Sequence, residues 1–297
     1  MSTKSAMITI AGRPNVGKST LTNALVGEKI AIVTNKPQTT RNRICAVVNR
    51  GDTQIVLVDT PGFHRARTRL GDFMVKTVKE SIADVDAVVL MVEPIPNVGP
   101  QETELIEHIK KTRVPSLLVI NKIDTVAKEE LLTVIATYTA LHDFDAIIPI
   151  SARNGDGTLL LMEEFEKRAQ PGPKLFPEDM VTDQPEKQVC AEIIREKLLM
   201  CLEKEIPHGT AVVIERFTER VETEIIDLEA TIFCEKDSHK GIIIGKKGAM
   251  LKKIGELARA DIERFMGTKV YLQTWVKVKD NWRDSTALMR NFGYSDQ

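Results

Sequence analysis

The chain has 297 residues, with 41 Lys and Arg against 42 Asp and Glu, a formal net charge of −1 and 42% hydrophobic residues. That length favours two domains over one, and the balance of apolar and charged residues excludes intrinsic disorder and collagen-like repeats. The near-neutral charge argues at first sight against a nucleic-acid partner. No apolar run approaches the roughly 18 residues of a membrane span, and the first residues lack the charged-then-apolar pattern of a secretory leader. Cys45, Cys190, Cys201 and Cys234 are scattered, with no CxxC and no Cys/His cluster. The expectation is a cytoplasmic protein with buried thiols, without a disulfide framework or zinc.

From Met7 to Ile150, short β-branched runs (7–10, 55–58, 87–92, 116–120 and 147–150) alternate with longer stretches of helical spacing. This alternation predicts βαβ units wound into a mostly parallel sheet covered on both faces. The first strand runs into Gly12-Arg13-Pro14-Asn15-Val16-Gly17-Lys18-Ser19, followed by Thr20 and a helix-forming run to Leu25. That is a G-x-x-x-x-G-K-[ST] phosphate loop between a strand and a helix. Its glycines let backbone amides converge on phosphate oxygens, and the helix N-terminus adds the positive end of its dipole. Lys18 is then expected to reach the β- and γ-phosphates, and Ser19 to ligate Mg²⁺.

The strand at Ile55 ends in Asp59-Thr60-Pro61-Gly62, where Asp59 would hold Mg²⁺ through water and the Gly62 amide would sense the γ-phosphate. After the strand at Ser116 comes Asn121-Lys122-Ile123-Asp124, whose carboxylate can accept from the N1 and N2 donors of guanine. Adenine lacks that donor pair and would leave the carboxylate unpaired, so the motif selects GTP over ATP. The strand at Ile147 leads to Ser151-Ala152-Arg153, where a backbone amide is expected to meet guanine O6. Each segment alone could be an ordinary strand-end loop. Their order, each at a strand C-terminus, makes them a nucleotide site.

With the Pro14-Asn15 pair, the Thr39-Thr40-Arg41 segment and the Asp-Thr-Pro-Gly form, this set resembles the Era family among the translation-factor-related small GTPases. The resemblance implies that Thr40 completes the Mg²⁺ shell in the GTP state, within a first switch of roughly residues 31–41. A second switch would run from Asp59 to about Asp72, with Gly71 and the Arg65, Arg67, Arg69 cluster in an exposed loop. Ras-like enzymes carry a water-orienting glutamine directly after Asp-x-x-Gly, where this chain has Phe63. Some members of the family use a K⁺ ion beside the phosphates, held by the phosphate-loop asparagine, here Asn15. Slow intrinsic hydrolysis follows, raised by K⁺ or by a partner, with Lys18, Thr40, Gly62 and Asn15 as the catalytic set. Phe63 reads equally as packing. The five histidines (His64, His108, His142, His208, His239) show no metal-ligand spacing.

The stretch from Pro171 to Lys187 contains four prolines and reads as a linker. Beyond it, 189–202 carries a helical stripe, 211–217, 226–234 and 270–278 read as strands, and 241–266 as a glycine-punctuated turn followed by a helix. Within the turn, Gly245-Lys246-Lys247-Gly248 fits the G-x-x-G loop that clamps about four single-stranded nucleotides in KH modules. By itself such a lysine-rich turn is more often a solvated cap. The order helix, strand, strand, helices, strand resembles the type II form, and Gly241, Ile244, Gly245, Lys246, Lys247, Gly248 and Lys252 are the expected RNA contacts.

The fold class is therefore α/β: a P-loop GTPase domain with a mostly parallel, doubly wound sheet over 1–170, a linker over 171–187, and a smaller α+β type II KH domain over 188–297. The resemblance implies GTP or GDP with Mg²⁺ as ligands, the 3′ region of 16S ribosomal RNA and the small ribosomal subunit as partners, and a monomer that assists subunit maturation. Peripheral contact with the inner face of the membrane is also attributed to the family. The rival reading is a GTPase whose second domain docks on a protein or membrane surface without RNA. Charge resolved along the chain favours RNA: residues 236–279 hold 11 Lys and Arg against 4 Asp and Glu, and 178–235 hold 6 against 15.

Overall fold

In the computed structural model, which describes residues 3–220 and 222–294, the chain passes from one compact unit to a second between Asp183 and Gln184. The first unit contains β1 (Lys4–Gly12), α1 (Lys18–Val26), β2 (Ile44–Arg50), β3 (Thr53–Asp59), α2 (Arg69–Ser81) and β4 (Ala87–Val92). It continues with α3 (Pro100–Thr112), β5 (Ser116–Ile120), α4 (Lys128–Thr139), β6 (Ala146–Pro149), α5 (Thr158–Glu166) and β7 (Gln170–Pro171).

The sheet order is β2-β3-β1-β4-β5-β6, with β7 paired to β1. The pairs β3–β1, β1–β4, β4–β5 and β5–β6 are parallel, as the alternating pattern predicts. All six residues of β4 are buried because helices cover both faces of a central parallel strand. Val89 and Met91 pack with Ile8, Ile10, Leu161 and Phe165 on one face. Val88, Leu90 and Val92 pack with Ile106, Ile109 and Tyr138 on the other.

Two parts of this unit depart from the expectation. The strand β2 was not anticipated; it folds back antiparallel on β3 through the turn at Gly51 and Asp52. The expected linker 171–187 is for most of its length part of the first unit. β7 pairs antiparallel with Lys4 and Ser5, below the point where β4 begins alongside β1 at Ile8. Gln54, fully buried, accepts from the amides of Leu175 (2.8 Å) and Phe176 (2.9 Å). Val47 donates its amide to Val181 O (2.9 Å), and the Asp183 carboxylate accepts from the Cys45 amide (3.0 Å). Prolines exclude a helix here but not extended chain along a sheet edge.

The second unit is α6 (Glu186–Cys201), β8 (Ala211–Glu219), β9 (Ile226–Cys234), α7 (Asp237–Ile244), α8 (Ala249–Met266), β10 (Val270–Val278) and α9 (Thr286–Asn291). Its sheet runs β10-β9-β8, with β8–β9 antiparallel and β9–β10 parallel. Alternate residues of β9 (Ile226, Leu228, Ala230, Ile232, Cys234) meet Ile194 and Leu198 of α6 and Ile254, Ala258 and Ile262 of α8. Gly241 and Ile244, expected in a turn, belong to α7, and the turn itself is Gly245–Gly248. After β10, Trp282 is buried and donates from Nε1 to Gly209 O (2.9 Å), and Phe292 stacks on Phe233 at 4.5 Å. Among the described residues no helix is long and apolar enough to cross a membrane.

Candidate functional site

The loops after β1, β3, β5 and β6 meet at the C-terminal edge of the first unit's sheet, where an open doubly wound sheet binds its ligand. They enclose a cavity of about 460 Å³. It is lined by the expected Pro14, Asn15, Gly17, Lys18, Ser19, Thr20, Thr40, Gly62, Asn121, Lys122, Asp124, Ser151 and Arg153. Ile32, Val33, Thr34, Gln38, Thr39 and Thr125 join them. The first four of these lie in the segment read as a switch, but nothing in their spacing singles them out.

The phosphate loop is held by two close approaches. Gly17, at φ 105°, is a backbone position where a Cβ would lie 2.2 Å from Asn121 Nδ2. Gly62 would bring a Cβ within 2.7 Å of Pro14 Cα, so the loop after β3 touches the phosphate loop directly. Lys18 is buried and donates from Nζ to Gly12 O (3.1 Å) and Arg13 O (2.9 Å). Burial pulls its ammonium down to about 8, against the opposing pull of the Asp59 charge.

Ser19 Oγ lies 2.9 Å from Thr40 Oγ1 and donates to Asp59 Oδ2 at 2.7 Å. Asp59 is fully buried, its Oδ1 accepts nothing in the described structure, and burial pushes its carboxyl up to about 6. Two hydroxyls and a carboxylate oxygen without a partner form a hard-oxygen donor set of the kind Mg²⁺ takes beside nucleotide phosphates, so the residues fit that ion. Thr39 turns the other way, bonding Thr34 Oγ1 and Lys36 O, each at 2.7 Å.

Asn121 joins the phosphate end to the base end. Its Nδ2 donates to Val16 O (2.7 Å) and its Oδ1 accepts from the Ala152 amide (2.9 Å). Asp124, exposed, accepts from Ser151 Oγ at 2.6 Å, and that hydroxyl holds its carboxyl below the ordinary range. In the Ser151-Ala152-Arg153 segment, where one backbone amide is expected to meet guanine O6, the amides of Ser151 and Ala152 are committed within the protein, to Asp156 O and to Asn121.

Other expected residues act from outside the cavity. Val16 is core, Thr60 donates to Ile10 O (2.7 Å), Pro61 is buried, and the Arg13 guanidinium pairs with Glu102 and Glu93. Lys122 also pairs with Glu93, a bridge between phosphate loop and base loop that no motif signals. Phe63 is core, with Lys79 Nζ 5.7 Å from its ring centroid, and its amide donates to Gly12 O (3.0 Å). Arg69 and Gly71, expected in a loop, lie in the first turn of α2.

A second concavity, of about 370 Å³, lies between α8 and β10. Of the expected RNA contacts it contains Gly248 and Lys252, together with Leu251, Gly255, Glu256, Arg259, Leu272 and Thr274, which the motif did not reveal. The α8 residues recur at three- and four-residue spacing on one helix face, and the two from β10 alternate. Gly241, Lys246 and Lys247 are exposed, and Gly245 at φ 72° would set a Cβ 2.7 Å from Met250 Cβ.

Comparison with known proteins decides the family. "GTPase Era" of Ruminiclostridium cellulolyticum is 50% identical over 99% of this chain and 98% of its own length. This chain belongs to the Era family of GTPases. "GTPase Era" of Clostridioides difficile is likewise 50% identical, over 99% of both chains. The family model described as 50S ribosome-binding GTPase matches residues 7–122, and the KH domain model matches 205–283. A crystal structure of Era in complex with MgGDPNP and nucleotides 1506–1542 of 16S ribosomal RNA superposes with a TM-score of 0.95 at 37% identity. It covers 99% of this chain and 100% of its own. The chain therefore has the P-loop GTPase fold followed by a KH domain, and takes GTP or GDP with Mg²⁺.

Proposed function

We propose that this Era-family chain is a GTP-hydrolysing switch whose KH unit grips single-stranded RNA of the 3′ region of 16S ribosomal RNA during assembly of the small ribosomal subunit. The observation that carries this is the presence in one chain of a guanine-nucleotide cavity with the Ser19, Thr40 and Asp59 oxygens gathered, and a G-x-x-G turn whose Gly248 opens onto a groove that holds Lys252 and Arg259. The Era complex with 16S nucleotides supports the choice of RNA.

In this reading Lys18 and the amides of residues 12–19 bind the phosphates, Asp124 reads guanine and Gly62 meets the γ-phosphate. Bound Mg²⁺ spreads charge off the phosphates as the bond to the γ-phosphate breaks. Thr40 reaches Ser19 from the switch segment, so γ-phosphate and metal together hold that segment and loss of phosphate releases it. Phe63 is packed away, so the attacking water is oriented by other groups, and Asn15 is the residue assigned to a K⁺ ion beside the phosphates. Hydrolysis is slow alone and faster with K⁺ or with the subunit. The protein acts as a cytoplasmic monomer, and its basic surplus over 236–279 is the surface for any membrane contact.

The test replaces Lys246 and Lys247 by alanine and measures binding to small subunits, to large subunits and to a 16S 3′ oligonucleotide. The expected result is loss of small-subunit and oligonucleotide binding with a shallower salt dependence, GTP turnover being kept. Undiminished RNA binding would favour a protein- or membrane-docking unit instead. Equal turnover in Na⁺ and K⁺, unchanged by Asn15→Ala, would remove the K⁺ assignment.

A further inference from the structure

Glu102 is a charged residue with 1% of its surface exposed, at the third position of α3 and outside every nucleotide motif. An ionised carboxylate out of water needs a counter-charge, and the Arg13 guanidinium of the phosphate loop supplies it through Nε. A buried ion pair is a poor source of stability, because desolvation offsets most of the attraction, so this one calls for another reason. Capping of α3 is not enough, since glutamine caps the third helical position as glutamate does, without the charge.

The reason lies in what Arg13 would otherwise do. Glu93, directly after β4, has a cation at each carboxylate oxygen. Lys122 Nζ of the base loop pairs closely with Oε1, whereas Arg13 Nη2 stands off at 3.7 Å from Oε2. By holding Arg13, Glu102 leaves Glu93 to Lys122. Lys122 needs a firm hold, since its backbone is left-handed, at φ 66°, a conformation unfavourable to any residue with a Cβ. Two residues further on is Asp124, which lines the nucleotide cavity, so the turn that Glu93 secures is the one that aims the guanine-reading carboxylate.

We propose that Glu102 and Glu93 are positioning residues for the guanine nucleotide. Glu102 neutralises Arg13, and Glu93, thereby kept for Lys122, locks the base loop in its left-handed turn. Removing the Glu102 charge swings Arg13 onto Glu93, frees Lys122 and lets the nucleotide leave sooner. Guanine reading by Asp124 is the part of the function above on which this rests; the residues that hold that reader in place are added to it.

The experiment measures, on the full chain, release of bound GDP and GDPNP and the affinities for GDP and IDP, whose base lacks the 2-amino donor, with a thermal melt of each variant. The wild type is expected to bind GDP about tenfold or more tighter than IDP. Glu102→Gln keeps the volume and the cap; it releases both nucleotides about tenfold faster and prefers GDP by less than about threefold. Glu93→Gln does the same. Adding Arg13→Gln to Glu102→Gln removes the competitor for Glu93 and brings release back to within about threefold of the wild type, whereas adding it to Glu93→Gln restores nothing. Wild-type release by Glu102→Gln, an equal loss of GDP and IDP affinity in it, or a double variant no slower than the single one each overturns the proposal. Should Glu102→Gln unfold, the partly exposed Glu93 decides, and unchanged release or base preference in Glu93→Gln overturns it. Equal wild-type affinity for GDP and IDP overturns the guanine assignment itself.

Discussion

Asp59 and Lys18 are both buried beside the nucleotide cavity, and their titrations run in opposite directions. The Asp59 carboxyl at about 6 lies above its ordinary 3.8, so between those values the folded chain holds a proton that the unfolded chain releases. Stability of the nucleotide-free protein from this group therefore falls as pH rises toward 6. Lys18, at about 8 against 10.5, binds fewer protons folded than unfolded in that interval, so its contribution recovers only as pH rises above 8. The pair costs most between the two values, where both are charged. Asp59→Asn is expected to raise the nucleotide-free melting temperature at pH 7 but not at pH 4, while turnover drops by roughly 100-fold or more as the metal site is spoiled. Mg²⁺ needs the ionised carboxylate, so its affinity should fall about tenfold for each pH step below 6, read by titrating Mg²⁺ against bound nucleotide. Residues of this kind were legible in the sequence because phosphate and guanine chemistry fixes both type and spacing. Glu93 and Glu102 were not, since each acts through Arg13 or Lys122, distant in the chain, and carries no local pattern.

Among the elements, the strongly periodic ones were readable: β4 and β5 fall on the expected residues, and α6 carries its stripe of Cys190, Ile194 and Leu198. The boundaries that moved did so for specific reasons. Gly241 was taken as a breaker, yet its Cβ position is open and the helix passes through it. β2 lies beyond the switch segment, and its Ile-Cys-Ala-Val-Val run becomes a strand only because β3 offers an edge, so tertiary pairing rather than pattern defines it. The loops after β1, β5 and β6 behave as one element because Asn121 bonds both of the others. Asn121→Ala leaves Val16 O and the Ala152 amide without that partner, and GDP and GTP affinity are expected to fall together by about tenfold or more, checked by nucleotide dissociation rates.

For the whole molecule, net charge was the least informative number, because opposed segments cancel in it, and domain count was the most secure. The boundary between the units was misjudged because prolines mark a break in helix or central strand, not a break in packing. A chain cut after residue 183 is expected to bind GTP as the full chain does. One cut after residue 169 should melt several degrees lower, as it lacks β7, the amides that satisfy Gln54 and the Asp183 carboxylate at Cys45, each bond contributing about 1 kcal/mol. Differential scanning fluorimetry of the two fragments decides it.

That edge has a consequence for how the protein is made. β1 emerges from the ribosome before the rest of its sheet, yet the segment that pairs with its opening residues arrives some 165 positions later, as Lys4 meets Pro171. The first unit thus cannot complete its sheet while it is being translated until residue 183 is free. A nascent chain stalled before that point would expose β2 and the start of β1 as unpaired edges, open to chaperones or to strand exchange.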